Sequence, residues 1–175
     1  MSDDNASARP SSADLNLGIF SFAHRVDHGD HGCNRLHGHT YALAVKVHSR
    51  TKQDSETALS DMHNIAKEIS SSLDRRVLLA SGGDNVYKDD SIMLEYVGAD
   101  NKRYAFPITD TMLIPLEQIT AETLANWIAV RIAEKLKDYP SYKQVETIEV
   151  TLSEDRVKRA SFTVTVKDFS RTWPD

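Results

Sequence analysis

From Thr40 to His48 the chain sets Tyr41, Leu43, Val45 and Val47 at every second position. A period of two sustained over that length is met by a strand that buries one face, and by no helix. This constrains the fold, because such a strand needs strand neighbours for its backbone and another layer over its apolar side. The preceding segment Leu17-Gly-Ile-Phe-Ser-Phe-Ala-His24 has the β-branched and aromatic content of a strand and is expected to pair antiparallel with it. Between them, Arg25 to Gly38 is rich in Gly, Asp, Asn and His, which is turn composition.

Downstream the period changes. From Ser60, Met62, Ile65, Ala66, Ile69 and Leu73 recur at three- and four-residue spacing, predicting an amphipathic helix that runs to about Asp74. A second helix is predicted to start at Thr120, an N-cap residue, with Glu122 in its first turn and Leu124, Trp127, Ile128, Ile132 and Leu136 as its buried stripe. It ends before Pro140. Ser91–Val97 and Lys102–Phe106 flank Gly98-Ala-Asp-Asn101, a hairpin pattern expected to extend the sheet. Two further strands follow, Thr147–Leu152 and Ala160–Asp168. Paired strands separated by helices predict an α+β class: an antiparallel sheet with two helices on one face. The 175 residues suit one domain over 17–175, preceded by a disordered tail over 1–16.

Composition narrows the function. The balance of 21 Lys+Arg against 26 Asp+Glu gives a formal charge of −5, and no basic cluster offers a nucleic-acid footprint. No apolar stretch approaches the ~20 residues that span a bilayer. A single cysteine cannot form an internal disulfide and fits a reducing compartment, so the cytoplasm is expected.

Five of the seven histidines, at positions 24, 28, 31, 37 and 39, lie in one short stretch with Cys33, the only cysteine. His37 and His39 are separated by one glycine on the approach to a strand, so both imidazoles point to one side. Antiparallel pairing brings His24 opposite them as a third nitrogen. Three imidazoles suit Zn²⁺ ahead of harder cations and leave a coordination position open, as a catalytic rather than a closed structural site requires. The competing reading is a set of solvated loop histidines, or of core histidines that happen to cluster. His28 and His31 are read as bystanders, and His48 and His63 as structural. Cys33 is either a small buried residue or, in its glycine-containing loop, a thiolate beside a bound cation.

Phe20-Ser-Phe-Ala-His24 and Cys33-Asn-Arg-Leu-His37-Gly-His39-Thr-Tyr41 resemble the 6-pyruvoyl-tetrahydropterin synthase and 6-carboxy-tetrahydropterin synthase family. Leu73-Asp74, Thr120-Ala-Glu122-Thr-Leu-Ala125 and Val150-Thr-Leu-Ser-Glu154 support the resemblance, which covers about residues 17 to 168. It implies a tunnelling fold whose sheets join into an oligomeric barrel, usually a homohexamer of two trimers. It further implies a zinc-dependent lyase acting on a pterin, 7,8-dihydroneopterin triphosphate, for a tetrahydropterin or deazapurine pathway. By the same resemblance His24, His37 and His39 hold zinc, Cys33 is the base, Asp74 belongs to a proton-relay pair, and Glu122 and Glu154 grip the pterin.

The resemblance breaks at Arg75, where the family's Leu-Asp-His signature has histidine. Histidine exchanges protons near neutrality, whereas a guanidinium stays charged and only stabilises negative charge. A catalytically impaired paralogue that still binds zinc and pterin is therefore the alternative reading. A structural Asp74–Arg75 ion pair at the helix end is the plain account of that dipeptide.

Overall fold

The computed structural model describes residues 11–27, 33–82, 86–89 and 92–166. Strands β1 (Ser11–His24) and β2 (His37–Ser49) form the centre of the main sheet and run antiparallel, with His24 opposite His37 and Phe22 opposite His39. One irregularity sets this register. Asn16 pairs with Ala44 and Ile19 with Ala42, so three steps along β1 match two along β2. The extra residue is a β-bulge at Gly18, whose φ of 93° is open to glycine but strained for any side chain. It changes which parity of β1 faces the core: Leu15 lies opposite buried Val45 before it, and Phe20 opposite buried Tyr41 after it. The bulge thus turns Phe20, Phe22 and His24 together onto the covered face.

Helix α1 (Lys52–Leu73) follows β2. Thr51 caps it by accepting from the Asp54 N–H at 3.1 Å, and its buried stripe runs from Ser55 and Ala58 through Met62, Ile65, Ala66 and Ile69 to Leu73. The helix begins earlier than the apolar spacing predicts, because its first two turns bury only Ser55 and Ala58. Helix α2 (Ala121–Leu136) starts as expected at Thr120, which exchanges capping hydrogen bonds with Thr123. Both helices cover one face of the sheet, and their stripes meet the alternate residues Tyr41, Leu43, Val45 and Val47 in a single core.

The main sheet has six strands in the order β7-β3-β1-β2-β8-β9. Here β3 is Arg76–Ala80, β7 is Thr111–Ile114, β8 is Val145–Ser153 and β9 is Arg159–Thr165. Strands β8 and β9 lie close to their expected positions. The β1–β3 and β3–β7 pairs are parallel, so the sheet is mostly rather than wholly antiparallel. The expected hairpin exists as β5 (Met93–Val97) and β6 (Arg103–Pro107), but it does not extend the main sheet. With β4 (Val86–Asp89) it forms a separate three-stranded sheet, whose Leu94 and Tyr96 pack with Leu79 of β3 in a second small core. The strand content of β1 also begins six residues before Leu17, so 11–16 pair with β2 instead of belonging to a tail.

Gly18→Ala tests the bulge without a steric confound, since a Cβ at this position meets nothing within 4 Å. The substitution is expected to destabilise the fold by about 1–2 kcal/mol through backbone strain alone, read as a lower urea midpoint at unchanged slope.

Candidate metal centre and active site

Along β2 the core-facing positions read Val47, Val45, Leu43, Tyr41, His39, His37, so the apolar stripe passes directly into two imidazoles. Opposite them the stripe on β1 ends in His24. The three rings stand 4.7 to 5.1 Å apart between centroids, and one nitrogen from each lies within 4.8 Å of the others. This is the only such group of potential metal ligands among the described residues.

The hydrogen bonds around the rings fit a metal. His37 Nδ1 lies 2.7 Å from the Arg35 carbonyl oxygen and His39 Nδ1 lies 3.1 Å from Glu154 Oε1. Both partners only accept, so each Nδ1 carries the proton and each Nε2 keeps its lone pair free, the arrangement by which outer partners orient metal-binding histidines. His24 is 3% exposed, and its ring nitrogens are buried with no well-formed hydrogen bond, the Ile119 backbone being the one polar group near enough to act on the ring. An unpaired buried nitrogen is costly unless something binds it. Burial, and after it the repulsion that His37 and His39 would exert when protonated, pushes the His24 pKa down to about 4. The ring is therefore neutral at physiological pH, as a ligand must be.

Tyr41, which closes the His37-Gly-His39-Thr-Tyr41 motif on the core face of β2, joins the site. Its ring stacks on His39 at 5.5 Å and 15°, and burial, with the charges of Glu154 and Glu122, pushes its hydroxyl pKa up to about 12. The signal was its place two residues beyond His39 on the same strand face. Glu122, in the first turn of α2, and Glu154, at the end of β8, meet across 32 positions of sequence in a cleft of about 310 Å³ that also holds Lys158 and Arg159. Glu154 serves both parts of the site, since its carboxylate also anchors His39.

Cys33 is exposed and stands in a turn whose backbone carbonyl accepts from the Val26 N–H at 2.9 Å. Its sulfur is not one of the gathered ligand atoms. Asp74 ends α1, and its Oδ1 accepts from the Ser21 N–H at 2.8 Å, three residues before His24. Its other oxygen lies 3.4 Å from Arg75 Nε, while the Arg75 side chain is 88% exposed. Within this chain Asp74 ties the helix end to β1 and does not join the imidazole group. His28 and His31 lie outside the described residues. His48 sits on the sheet face away from the helices, and His63 is exposed on α1.

Fold and site define an α+β protein with a three-imidazole centre beside a cleft that holds two carboxylates and two cationic side chains. The solved 6-pyruvoyl tetrahydropterin synthase of Plasmodium vivax shares this fold with a TM-score of 0.73 at 21% identity, over 89% of this chain and 99% of that one. That of Caenorhabditis elegans matches at 0.52 and 18%, over 91% and 97%. A Methanocaldococcus jannaschii protein provisionally named 6-carboxy-5,6,7,8-tetrahydropterin synthase is 33% identical over 80% of this chain and 86% of its own length. The family model described as 6-pyruvoyl tetrahydropterin synthase matches residues 18–164. The chain belongs to the 6-pyruvoyl tetrahydropterin synthase family.

The low pKa of His24 has a consequence for the metal-free protein. In the unfolded chain this histidine takes up a proton below its ordinary pKa of 6.5, whereas in the fold it resists until about 4. Its contribution is thus complete above pH 6.5 and is lost as pH falls towards 4, a change on the order of 3 kcal/mol. Urea midpoints of the metal-free chain between those pH values are expected to fall steeply, and less so in His24→Gln.

Proposed function

We propose that the chain is a zinc-dependent pterin lyase that converts 7,8-dihydroneopterin triphosphate to a 6-substituted tetrahydropterin. The observation that carries this reading is the junction of the His24–His37–His39 group with the Glu122–Glu154 cleft through one residue, Glu154. Family membership supports the tetrahydropterin class of reaction, and the names of the curated relatives favour a 6-carboxy product.

When bound by the three imidazoles, zinc supplies Lewis-acid stabilisation of negative charge on the substrate's side-chain oxygens. Carboxylates accept hydrogen bonds, so Glu122 and Glu154 suit the N–H groups of a pterin ring and reject a ligand that offers only acceptors. Held between that anchor and the imidazole centre, the substrate side chain is oriented before any proton moves. Cys33 then takes the carbon-bound proton as base. Phe22 and Tyr41 line the imidazoles on the core side and restrict water there. No helix among the described residues is long and apolar enough to cross a membrane. A cytoplasmic homo-oligomer belongs to the same proposal, and its oligomeric part is supported by the edge strands β7 and β9, which have no second neighbour among the described residues.

Arg75 favours a second reading, a zinc- and pterin-binding paralogue with impaired turnover. Its guanidinium cannot pass a proton, and Asp74 beside it is already committed to the Ser21 backbone. Incubation with 7,8-dihydroneopterin triphosphate and mass analysis of the products separates the two. A 6-substituted tetrahydropterin is expected, formed slowly by the wild type and faster by Arg75→His, by up to the ~10²–10⁴-fold that a positioned acid/base supplies. Cys33→Ala should abolish turnover and keep zinc, and His37→Ala should lose the zinc. Absence of any product in both wild type and Arg75→His would establish the paralogue reading.

A further inference from the structure

The residue next to the buried ligand is itself an unusual one. Arg25 is 7% exposed, and its guanidinium lies over two rings of the small sheet, 5.7 Å from the Tyr96 centroid and 5.4 Å from that of Tyr104. Nη1 and Nη2 both donate to Asp100 Oδ1 at 3.1 Å, and Nη2 pairs with Asp27 Oδ1 at 3.1 Å. Asp27 in turn accepts from the Tyr96 hydroxyl and from the Ala99 N–H. A hydrogen bond from Lys102, with help from Arg25, holds the Asp100 pKa down at about 2. Gly98 completes the pocket, because a Cβ there would overlap Arg25 Nη1.

This cluster does not touch the cleft or the imidazole nitrogens, yet it grips the chain at both residues that flank Val26. Val26 closes the segment by donating to the Cys33 carbonyl. His24 therefore precedes the grip by one residue, and Cys33 is hydrogen-bonded to its middle. Burying a cation between two aspartates and two aromatic rings, with Nε left without a hydrogen-bond partner, makes the arrangement depend on the partners it does have.

We propose that Arg25 is a positioning residue: by clamping residues 25–27 to the β5–β6 turn, it fixes the ring of His24 and the entry of Cys33 together. The small sheet then acts as a support for the centre. The proposal rests on the metal-site reading above, and its test does not need turnover.

The full chain is prepared as wild type, Arg25→Lys, which keeps the charge but loses the fork, and Gly98→Ala, which keeps Arg25 but takes its space. Two quantities are read below the melting temperature of each: the zinc dissociation constant by chelator competition, and the labelling rate of Cys33, the sole thiol, by a maleimide. Both variants are expected to bind zinc roughly 10–100-fold more weakly, as lost outer support does at other metal centres, with a severalfold change in labelling. Should Arg25→Lys fail to fold, Asp100→Asn replaces it, removing one charge from the more exposed partner. Lower melting temperatures with zinc affinity and labelling unchanged would reduce the cluster to a structural contact and overturn the proposal. If wild type binds no zinc, the metal-site reading fails by itself, and labelling alone decides: altered rates support the clamp, unchanged rates overturn it.

Discussion

The pairing register of β1 and β2 is the constraint on which the site depends. Side chains alternate across a strand, so a slip of one residue would send a whole set of side chains to the opposite face. The Gly18 bulge supplies one extra residue in β1, and the covered face of that strand then ends in His24, opposite His37. No loop has to bring the three imidazoles together. They are the last residues of the same apolar stripe that packs under α1 and α2, and they inherit its rigidity.

That origin explains the electrostatics. An imidazole group at the edge of a core has an apolar side, formed by Phe22 and Tyr41, and a polar side, formed by Glu154 and the cleft. On the apolar side burial keeps His24 neutral and raises the Tyr41 pKa, whereas His37 and His39 keep partners that fix their tautomers. Charges interact more strongly where water is excluded, so a bound cation and a developing anion would be coupled most tightly on the side away from solvent. Glu154 links the two sides, since one carboxylate both orients His39 and lines the cleft.

Much of this was legible in the sequence. The period of two in β2 and the His-Gly-His spacing gave the strand and the direction of two imidazoles, and the content of Leu17–His24 gave the partner carrying the third. The Thr120 cap and its stripe gave α2 closely. What escaped had physical reasons. The first two turns of α1 bury only Ser55 and Ala58, too small to mark a helical face, and β3 and β7 are short strands in parallel pairs with no alternation to read. The hairpin was found from its turn residues, but nothing local to a hairpin says which sheet it joins. Its placement follows from Leu94 and Tyr96 meeting Leu79, and from Arg25, whose role depends on partners some 70 residues away. The family resemblance implies a proton relay for Asp74, and within this chain its Oδ1 also accepts from the Ser21 backbone, a contact that no local pattern announces.

The account turns on the claim that the strand register builds an open, three-imidazole metal centre. X-ray absorption at the zinc edge of the metal-loaded full chain tests this most directly. It should show three imidazole nitrogens at ~2.0–2.1 Å with one further light atom and no sulfur. A sulfur scatterer at ~2.3 Å would place Cys33 on the metal and close the site, and fewer than three imidazoles would contradict the register argument itself.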